Sequence, residues 1–290
     1  MIVKVHPGRI GGKLSVPASK SMQQRACALA LLNKGITRIF GSGKSNDEHT
    51  ALEIISKLGA KVNNENNVLI IESDGIPVSP DHLSFNESGL SLRMFTPIAV
   101  LSSSRIELHG DGSLLHRNLD GFIHALQQRG VQVQGQKSYL PLAVQGPLIF
   151  NDRFTIDAAD SSQFISGLLM AISLKTTQNV YIDLINPVSK PYIDLTLNMM
   201  KEFGHQVERT LDFKQIIINP FESKLEGDRE ITIEGDWSHG ALLLVIGALT
   251  GGICLSGLKI NSVQADRKIR EVLTMVGVNV IEENDCLSVN

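Results

Sequence analysis

The sequence predicts a protein of the α/β class (α+β), built from repeated helix–strand–helix–strand–strand units that form two domains. Three observations predict this: a helix–glycine–strand phrase that recurs four times, a Ser-rich helix opening with the same period, and an ordinary globular composition. Hydrophobic residues make up 42% and charged residues 20% of the 290 residues. A chain of this length and composition can bury a sizeable core without metals or crosslinks.

The first repeated phrase is the end of an amphipathic helix, followed by a glycine and then by short alternating strands. Its glycines lie 71, 74 and 73 residues apart, at Gly59, Gly130, Gly204 and Gly277. Glycine suits the end of a helix because the left-handed conformation needed there costs it nothing. The near-constant spacing indicates four units, which account for the whole chain.

The second repeated phrase is a short polar opening in front of an apolar helix and a strand. The four openings are Ser19-Lys20-Ser21, Glu87-Ser88-Gly89, Asp160-Ser161-Ser162 and Asp236-Trp237-Ser238. The apolar helices are expected at 26–32, 92–101, 164–172 and 241–249, and the strands at 37–40, 105–108, 179–182 and 252–255. The last helix lies in an uncharged stretch, but its apolar core is too short to span a bilayer. We therefore expect a packed helix there and no membrane association.

Charge and cysteine usage narrow the class of protein. The formal net charge of −3 argues against a nucleic-acid surface, so any anion site must be a local cluster of cations. Cys27, Cys254 and Cys286 form no CxxC pair, and we expect all three to be reduced in a cytoplasmic protein. The N-terminus shows no signal-peptide pattern. The histidines show no metal-ligand spacing, and His205 is expected at the surface.

Cations accompany the helix openings. A single Ser-rich opening is an ordinary N-cap, but these openings carry nearby cations at Lys20, Arg25, Arg93, Arg117 and Lys190. Helix N-termini favour anions, and arginine makes forked contacts with phosphate and carboxylate groups. If the units surround a pseudo-threefold axis, the openings converge and bind a phosphorylated carboxylate. A P-loop is excluded because the spacing between Gly41 and Gly43 is too short.

The motifs Ser19-Lys20-Ser21 and Ser189-Lys190-Pro191-Tyr192-Ile193-Asp194 are quite specific. Together with Gly89…Arg93 and Ser161-Ser162-Gln163-Phe164, they resemble the 5-enolpyruvylshikimate-3-phosphate synthase branch of the enolpyruvyl transferase family. The resemblance covers all 290 residues. It implies two domains of three units each around pseudo-threefold axes. It also implies transfer of the enolpyruvyl group of phosphoenolpyruvate to the 5-hydroxyl of shikimate 3-phosphate, with release of phosphate and without metal or cofactor.

The resemblance also implies roles for individual residues. Lys20 would contact both substrates and is the catalytic candidate. The residues implied for shikimate 3-phosphate are Lys20, Ser21, Arg25, Ser161, Ser162, Gln163, Ser189 and Tyr192. Those implied for phosphoenolpyruvate are Lys20, Gly89, Arg117 and Gln163. Arg93 fits an arginine of the family, although a structural ion-pair role is an equal alternative.

The chain departs from the family in two ways. The usual Asn-Ala-Gly-Thr phrase reads Glu87-Ser88-Gly89-Leu90 here. The family has six units and this sequence four, and the other two carry the catalytic acid and base. We therefore expect a complete domain over 18–227, part of a second over 1–17 and 228–290, and binding without turnover by these 290 residues.

Other predictions concern partners and alternatives. Without sister units the helix at 241–249 should be partly exposed, so the chain is expected to self-associate, whereas a full-length protein would be a monomer. A UDP-N-acetylglucosamine enolpyruvyl transferase and a non-catalytic module that binds a phosphorylated metabolite are the alternatives.

Overall fold

The structure, a computed structural model, describes residues 3, 4, 6, 8–159, 161–220, 226–283 and 286–289. The chain divides into two compact units. The larger is Lys20–Thr232, and the smaller combines Met1–Ser19 with Ile233–Asn290. The sequence placed these boundaries at residues 18 and 227.

The described elements form four repeats in chain order. The first comprises β1 (Gly12–Ser15), α1 (Lys20–Leu32), β2 (Lys34–Phe40), α2 (Asn46–Lys57), β3 (Lys61–Glu65) and β4 (Val68–Asp74). The second comprises β5 (His82–Ser84), α3 (Gly89–Ala99), β6 (Arg105–His109), a 3-10 helix (Gly112–His116), α4 (Asp120–Gln127), β7 (Gln132–Gly135) and β8 (Leu142–Gln145). The third comprises β9 (Arg153–Asp157), α5 (Ser162–Lys175), β10 (Val180–Ile185), α6 (Lys190–Glu202), β11 (Val207–Arg209) and β12 (Gln215–Ile218). The fourth comprises β13 (Arg229–Thr232), α7 (Trp237–Thr250), β14 (Ile253–Ser256), a 3-10 helix (Ala265–Lys268), α8 (Ile269–Met275), β15 (Val280–Glu283) and β16 (Cys286–Val289).

This order confirms the mixed α/β class and the helix–strand–helix–strand–strand repeat. The four repeat glycines follow helices α2, α4, α6 and α8, and all have positive φ, of 107°, 78°, 91° and 87° in order. The structure adds a short strand in front of each apolar helix, which the sequence analysis missed. At three to five residues, these strands are too short to show a clear alternating pattern.

In the part of the chain that the structure describes, there are four sheets of four strands each. The strand in front of each apolar helix forms one edge of a sheet and pairs in parallel with its neighbour. In the second and third repeats the leading strand stays in its own repeat, as β5 beside β6 and β9 beside β10. In the first and fourth repeats the leading strands are exchanged. Strand β13 pairs with β2, and β1 pairs with β14. This exchange extends the larger unit to Thr232.

The core of the larger unit is formed by the three repeat-equivalent helices α1, α3 and α5, which contact one another. From Met22 to Leu32 every side chain of α1 is buried. Helices α3 and α5 lie close together at Gly167, where an added Cβ would stand 2.7 Å from the Cα atom of Met94. Glycine at this position therefore permits backbone-to-backbone packing of the two helices.

The smaller unit has its own apolar core, centred on Trp237, Leu244 and Leu255. Helix α7 buries only part of its surface, and the side chains of Leu242 and Leu249 are 62% and 80% exposed. The partial exposure predicted for this helix is therefore confirmed. Within the described ranges, every helix is too short or too polar to cross a bilayer.

Two expectations about individual residues are wrong. Cys254 and Cys286, on the neighbouring antiparallel strands β14 and β16, form a disulfide, so only Cys27 is a free thiol. His205 is buried, and burial lowers its pKa to about 3, with the charge of Arg229 contributing. The residue that follows the helix-ending glycine packs back against the helix, which explains the burial of His205. The same position is buried at Val131 in the second repeat.

Candidate anion-binding site

The start of α1 carries the first group of predicted site residues. Lys20 is the first residue of the helix, and its Nζ lies 2.9 Å from Oδ2 of Asp47 in the first turn of α2. The Lys20 side chain remains 43% exposed. The sequence analysis missed Asp47, because one acidic residue in a helical first turn is an ordinary feature. The structure thus presents a partly exposed ammonium group whose position is held by a carboxylate.

Arg25 is buried completely and links three helices. Its Nε donates to Oγ1 of Thr196 at 2.8 Å, and its Nη1 to the carbonyl of Ser21 at 2.8 Å. Its Nη2 donates to Oγ of Ser166 at 3.3 Å and to the carbonyl of Tyr192 at 3.5 Å. Burial lowers the pKa of Arg25 to about 10, and the neighbouring Tyr192 partly opposes this. These contacts favour a role for Arg25 in holding Ser21 and Tyr192 in place.

The start of α3 is tied to α1 by a buried polar contact. Ser88 caps α3 by accepting a hydrogen bond from the backbone N–H of Ser91. The hydroxyls of Ser88 and Ser91 donate to Oε1 of Gln24, at 3.4 and 3.0 Å. Gln24 is buried in α1 and was not among the predicted site residues. A glutamine beside a helix opening is too common to have indicated this contact.

Gly89, Arg93 and Arg117 come together at the N-terminus of α3. Nη1 of Arg93 donates to the carbonyl of Gly89 at 3.2 Å. A Cβ built on Gly89 would lie 2.6 Å from Nη1 of Arg117 and 3.1 Å from Nη1 of Arg93. Two guanidinium groups therefore converge on the surface of one glycine. Two guanidinium groups at one point can hold a small dianion, since both arginines offer several N–H donors.

The opening of α5 carries Ser161, Ser162 and Gln163. Ser161 caps the helix by accepting a hydrogen bond from the N–H of Gln163 at 3.1 Å. Ser162 is the first helical residue and is buried. Asp160, which the opening phrase also included, lies outside the described residues. Ser161 lines a cavity of about 320 Å³ together with Arg93, so the openings of α3 and α5 share one cavity.

The opening of α6 carries Ser189 and Tyr192. Ser189 is the N-cap residue, is exposed, and adopts a left-handed backbone with φ 51° and ψ 40°. Tyr192 accepts from Arg25 through its backbone carbonyl, which joins this opening to α1. Lys190 lies over the ring of Phe213, with Nζ 5.5 Å from the ring centroid.

All the predicted site residues lie in the larger unit, and contacts connect their helices in pairs. Arg25 connects α1 with α5 and α6, Gln24 connects α1 with α3, and the shared cavity connects α3 with α5. A cavity of about 680 Å³ contains none of the predicted residues. It lies at the opposite ends of α1 and α5, where Leu32 and Lys175 line it. The cations, and not this cavity, therefore define the candidate site.

Comparisons with known proteins identify the family of the chain. The sequence model of the family described as EPSP synthase (3-phosphoshikimate 1-carboxyvinyltransferase) matches residues 5–290. The 3-phosphoshikimate 1-carboxyvinyltransferase of Clostridium kluyveri is 31% identical over 289 residues, which cover 99% of this chain and 67% of that relative. The enzyme of the same name from Marinomonas sp. is 32% identical over 280 residues, which cover 94% of this chain and 65% of that one.

A solved structure supports the fold. The EPSP synthase from Acinetobacter baumannii superposes with a TM-score of 0.76 at 23% identity, covering 98% of this chain and 64% of that one. The architecture is that of a protein built from repeated α/β units, each with an apolar helix behind a polar opening. The chain belongs to the EPSP synthase family. It spans about two thirds of the length of the curated relatives that it matches.

Proposed function

We propose that this chain binds shikimate 3-phosphate and phosphoenolpyruvate for enolpyruvyl transfer in aromatic amino-acid biosynthesis. In that reaction the 5-hydroxyl oxygen adds to C2 of phosphoenolpyruvate, a proton adds to C3, and loss of phosphate and of a C3 proton restores the double bond. Membership of the family supports the reaction class. The observation that carries the assignment is the convergence of Arg93 and Arg117 on Gly89, which suits the phosphate or carboxylate of phosphoenolpyruvate.

The other site residues are assigned to the substrates on the same basis. Lys20 lies at a helix start with a partly exposed ammonium group, which fits contact with both ligands. The openings of α5 and α6, with Ser161, Ser162, Gln163 and Ser189, are proposed to hold the 3-phosphate. Tyr192 is proposed to lie beside it. Arg25 is proposed to orient the shikimate ring through Ser21 and Tyr192, because its guanidinium group hydrogen-bonds to both backbones.

We propose further that these 290 residues bind the substrates without turnover. Proton transfer to C3 and activation of the hydroxyl require a placed acid and a placed base. Among the predicted site residues a catalytic role is assigned to Lys20 alone, and one residue does not supply both an acid and a base. Phosphate release from the two substrates measures turnover, and release at ordinary enzyme rates by the 290-residue chain would contradict this proposal.

Calorimetry with shikimate 3-phosphate tests the binding proposal. Lys20→Ala removes a charge-assisted contact worth about 1.5–3 kcal/mol, so the affinity should fall roughly tenfold to a hundredfold. Lys61→Ala is the matched control, because Lys61 is an exposed lysine that pairs with Glu72 on the neighbouring strand. Equal affinities for the wild type and Lys20→Ala would show that Lys20 lies outside the site. Tighter binding of UDP-N-acetylglucosamine than of shikimate 3-phosphate would favour the other branch of the family.

We also propose that the protein acts in the cytoplasm. This proposal rests on its membership of the family and not on its cysteines, since Cys254 and Cys286 form a disulfide.

We propose in addition that these 290 residues self-associate through α7, whereas a longer chain would be a monomer. The repeat-equivalent helices α1 and α5 are almost completely buried, whereas Leu242 and Leu249 on α7 are exposed. Sedimentation velocity should show concentration-dependent association that the double substitution Leu242→Lys and Leu249→Lys abolishes. A monomer at all concentrations would contradict the self-association.

A further inference from the structure

Gln24 is a buried polar residue in a closely packed helix. It lies in α1, where every side chain from Met22 to Leu32 is buried, and its own side chain is completely buried. Its amide oxygen Oε1 lies 3.0 Å from the hydroxyl oxygen of Ser91 and 3.4 Å from that of Ser88. Its amide nitrogen Nε2 is buried too, and has no hydrogen-bond partner within the residues that the structure describes. Gln24 is therefore joined to the start of α3 through one side of its amide.

The unpaired amide nitrogen indicates that Gln24 is not the most stabilising residue for its position. A buried N–H group without an acceptor is unfavourable, because it has lost its hydrogen bonds to water and gained none in the protein. Methionine has nearly the same shape and would fill this space without a polar group. The contacts of the amide oxygen therefore need an explanation other than stability.

The amide oxygen fixes the direction of two hydroxyl groups. A carbonyl oxygen can only accept, so the hydroxyl of Ser91 directs its proton toward Gln24. The hydroxyl of Ser88 directs its proton to Ser91, at 3.0 Å between the oxygens, or to Gln24. In both cases the oxygen of Ser88 keeps lone pairs for the backbone N–H of Ser91, which donates to it at 3.3 Å. Gln24 thereby keeps Ser88 in its role as the cap of α3.

The two serines that contact the amide oxygen lie on either side of Gly89. Ser88 directly precedes Gly89, and Ser91 follows it by two positions in the first turn of α3. The carbonyl of Gly89 accepts a hydrogen bond from Nη1 of Arg93, and Nη1 of Arg117 lies against the same glycine. A rotation of this first turn would move the backbone of Gly89 relative to both guanidinium groups. The placement of Gly89 therefore depends on a contact with α1.

We propose that Gln24 is a positioning residue for phosphoenolpyruvate. It holds the first turn of α3 in the orientation in which Gly89 receives the ligand. It acts through Ser88 and Ser91, and its complete burial keeps it out of contact with the ligand itself. The inference rests on the proposed binding of phosphoenolpyruvate at Gly89. It explains why a glutamine with an unpaired nitrogen stands among buried side chains.

The test compares Gln24→Met with the wild-type 290-residue chain. The affinity for phosphoenolpyruvate, measured by phosphorus NMR titration, should fall about three- to tenfold, the effect of losing one hydrogen bond that orders the site. The affinity for shikimate 3-phosphate, measured by calorimetry, should stay unchanged, because Gln24 acts on α3 and the proposed contacts of that ligand lie on α1, α5 and α6. The midpoint of thermal unfolding should not fall. The substitution removes the unpaired nitrogen, and the hydroxyl of Ser91 can turn to a carbonyl of the preceding turn.

Ser73→Ala is the matched control, because it removes another buried hydrogen bond to the same helix. The hydroxyl of Ser73 donates to the carbonyl of Leu31 at 2.6 Å, at the far end of α1. This variant should unfold at a lower temperature and bind phosphoenolpyruvate as the wild type does. Equal phosphoenolpyruvate affinities for the wild type and Gln24→Met would overturn the proposal. A lower unfolding midpoint of Gln24→Met with weaker binding of both ligands would also overturn it, since a merely structural residue gives that pattern.

A double substitution tests the route through the serines. Ser91→Ala removes the hydroxyl that contacts Gln24, so adding Gln24→Met to it should lower the phosphoenolpyruvate affinity by less than Gln24→Met does alone. Fully additive effects would contradict this route and overturn the proposal. Phosphoenolpyruvate binding that Gln24→Met leaves unchanged contradicts only the role of Gln24. A wild-type chain that binds shikimate 3-phosphate but not phosphoenolpyruvate would overturn both this role and the proposed site at Gly89.

Discussion

Substitution by alanine at two glycines in neighbouring helices should affect different properties. Gly167→Ala should lower stability, and Gly89→Ala should weaken ligand binding. In Gly167→Ala the new Cβ would lie 2.7 Å from Cα and 2.8 Å from the carbonyl carbon of Met94. Comfortable carbon contacts lie at about 3.5–4.0 Å, so the backbones of α3 and α5 must separate by roughly 1 Å. Overpacking of this kind costs about 3 kcal/mol, and the better helix propensity of alanine returns about 1 kcal/mol.

The net loss of about 2 kcal/mol should lower the midpoint of thermal unfolding by roughly 4–8 °C.

In Gly89→Ala the new Cβ meets only the ends of arginine side chains, which can move at little cost. Its unfolding midpoint should stay within about 1–2 °C of the wild type. Its affinity for phosphoenolpyruvate should fall about tenfold or more, since Arg117 is displaced. Circular dichroism and calorimetry measure the two effects. A stable Gly167→Ala, or unchanged binding by Gly89→Ala, would refute the reasoning.

Three further predictions concern stability. Burial lowers the pKa of His205 to about 3, so the unfolded state binds one proton more than the folded state between about pH 6.5 and 3. As the pH falls through this range, the free energy of unfolding should therefore fall by up to about 1.4 kcal/mol per pH unit. Urea titrations of His205→Val should lack this slope. Arg25→Lys cannot reproduce the forked contacts with Thr196 and its neighbours, and should cost about 3 kcal/mol in urea unfolding; a cost below 1 kcal/mol would contradict the buried network. Asp236→Ala removes the cap that accepts from the N–H of His239, so hydrogen exchange in α7 should show a loss of about 1 kcal/mol, which Asp236→Asn should largely restore.

The repeat could be predicted because the sequence patterns that mark it, the helix-ending glycines and the apolar helices, are strong and local. Glycines with positive φ and long apolar helices recur at one spacing, and each signal is set by the chain within a few residues of it. The leading strands could not be predicted in the same way. A strand of three residues such as His82–Ser84 is specified by its partner in the sheet and not by its own sequence.

The same holds for the site: residues marked by local sequence patterns were predicted, and residues whose contacts depend on tertiary structure were not. Lys20, Gly89 and Ser161 were found because each opens an apolar helix. Asp47 and Gln24 were not found, because their partners Lys20 and Ser91 approach them only through tertiary structure. The burial of His205 was available from the sequence, because the aligned position is apolar in the other three repeats.

The strand exchange between the first and fourth repeats determines when each unit can be completed during synthesis. Strand β1 must wait for β14, whose residues lie about 240 positions later in the chain. At ordinary elongation rates of about 5–20 residues per second, that wait lasts roughly 10–50 s. The sheet that contains β2 also stays open at one edge until β13 has emerged. The two sheets can therefore be completed only after β13 and β14 have been made, so β1 and β2 acquire these hydrogen-bonded partners long after they have left the ribosome.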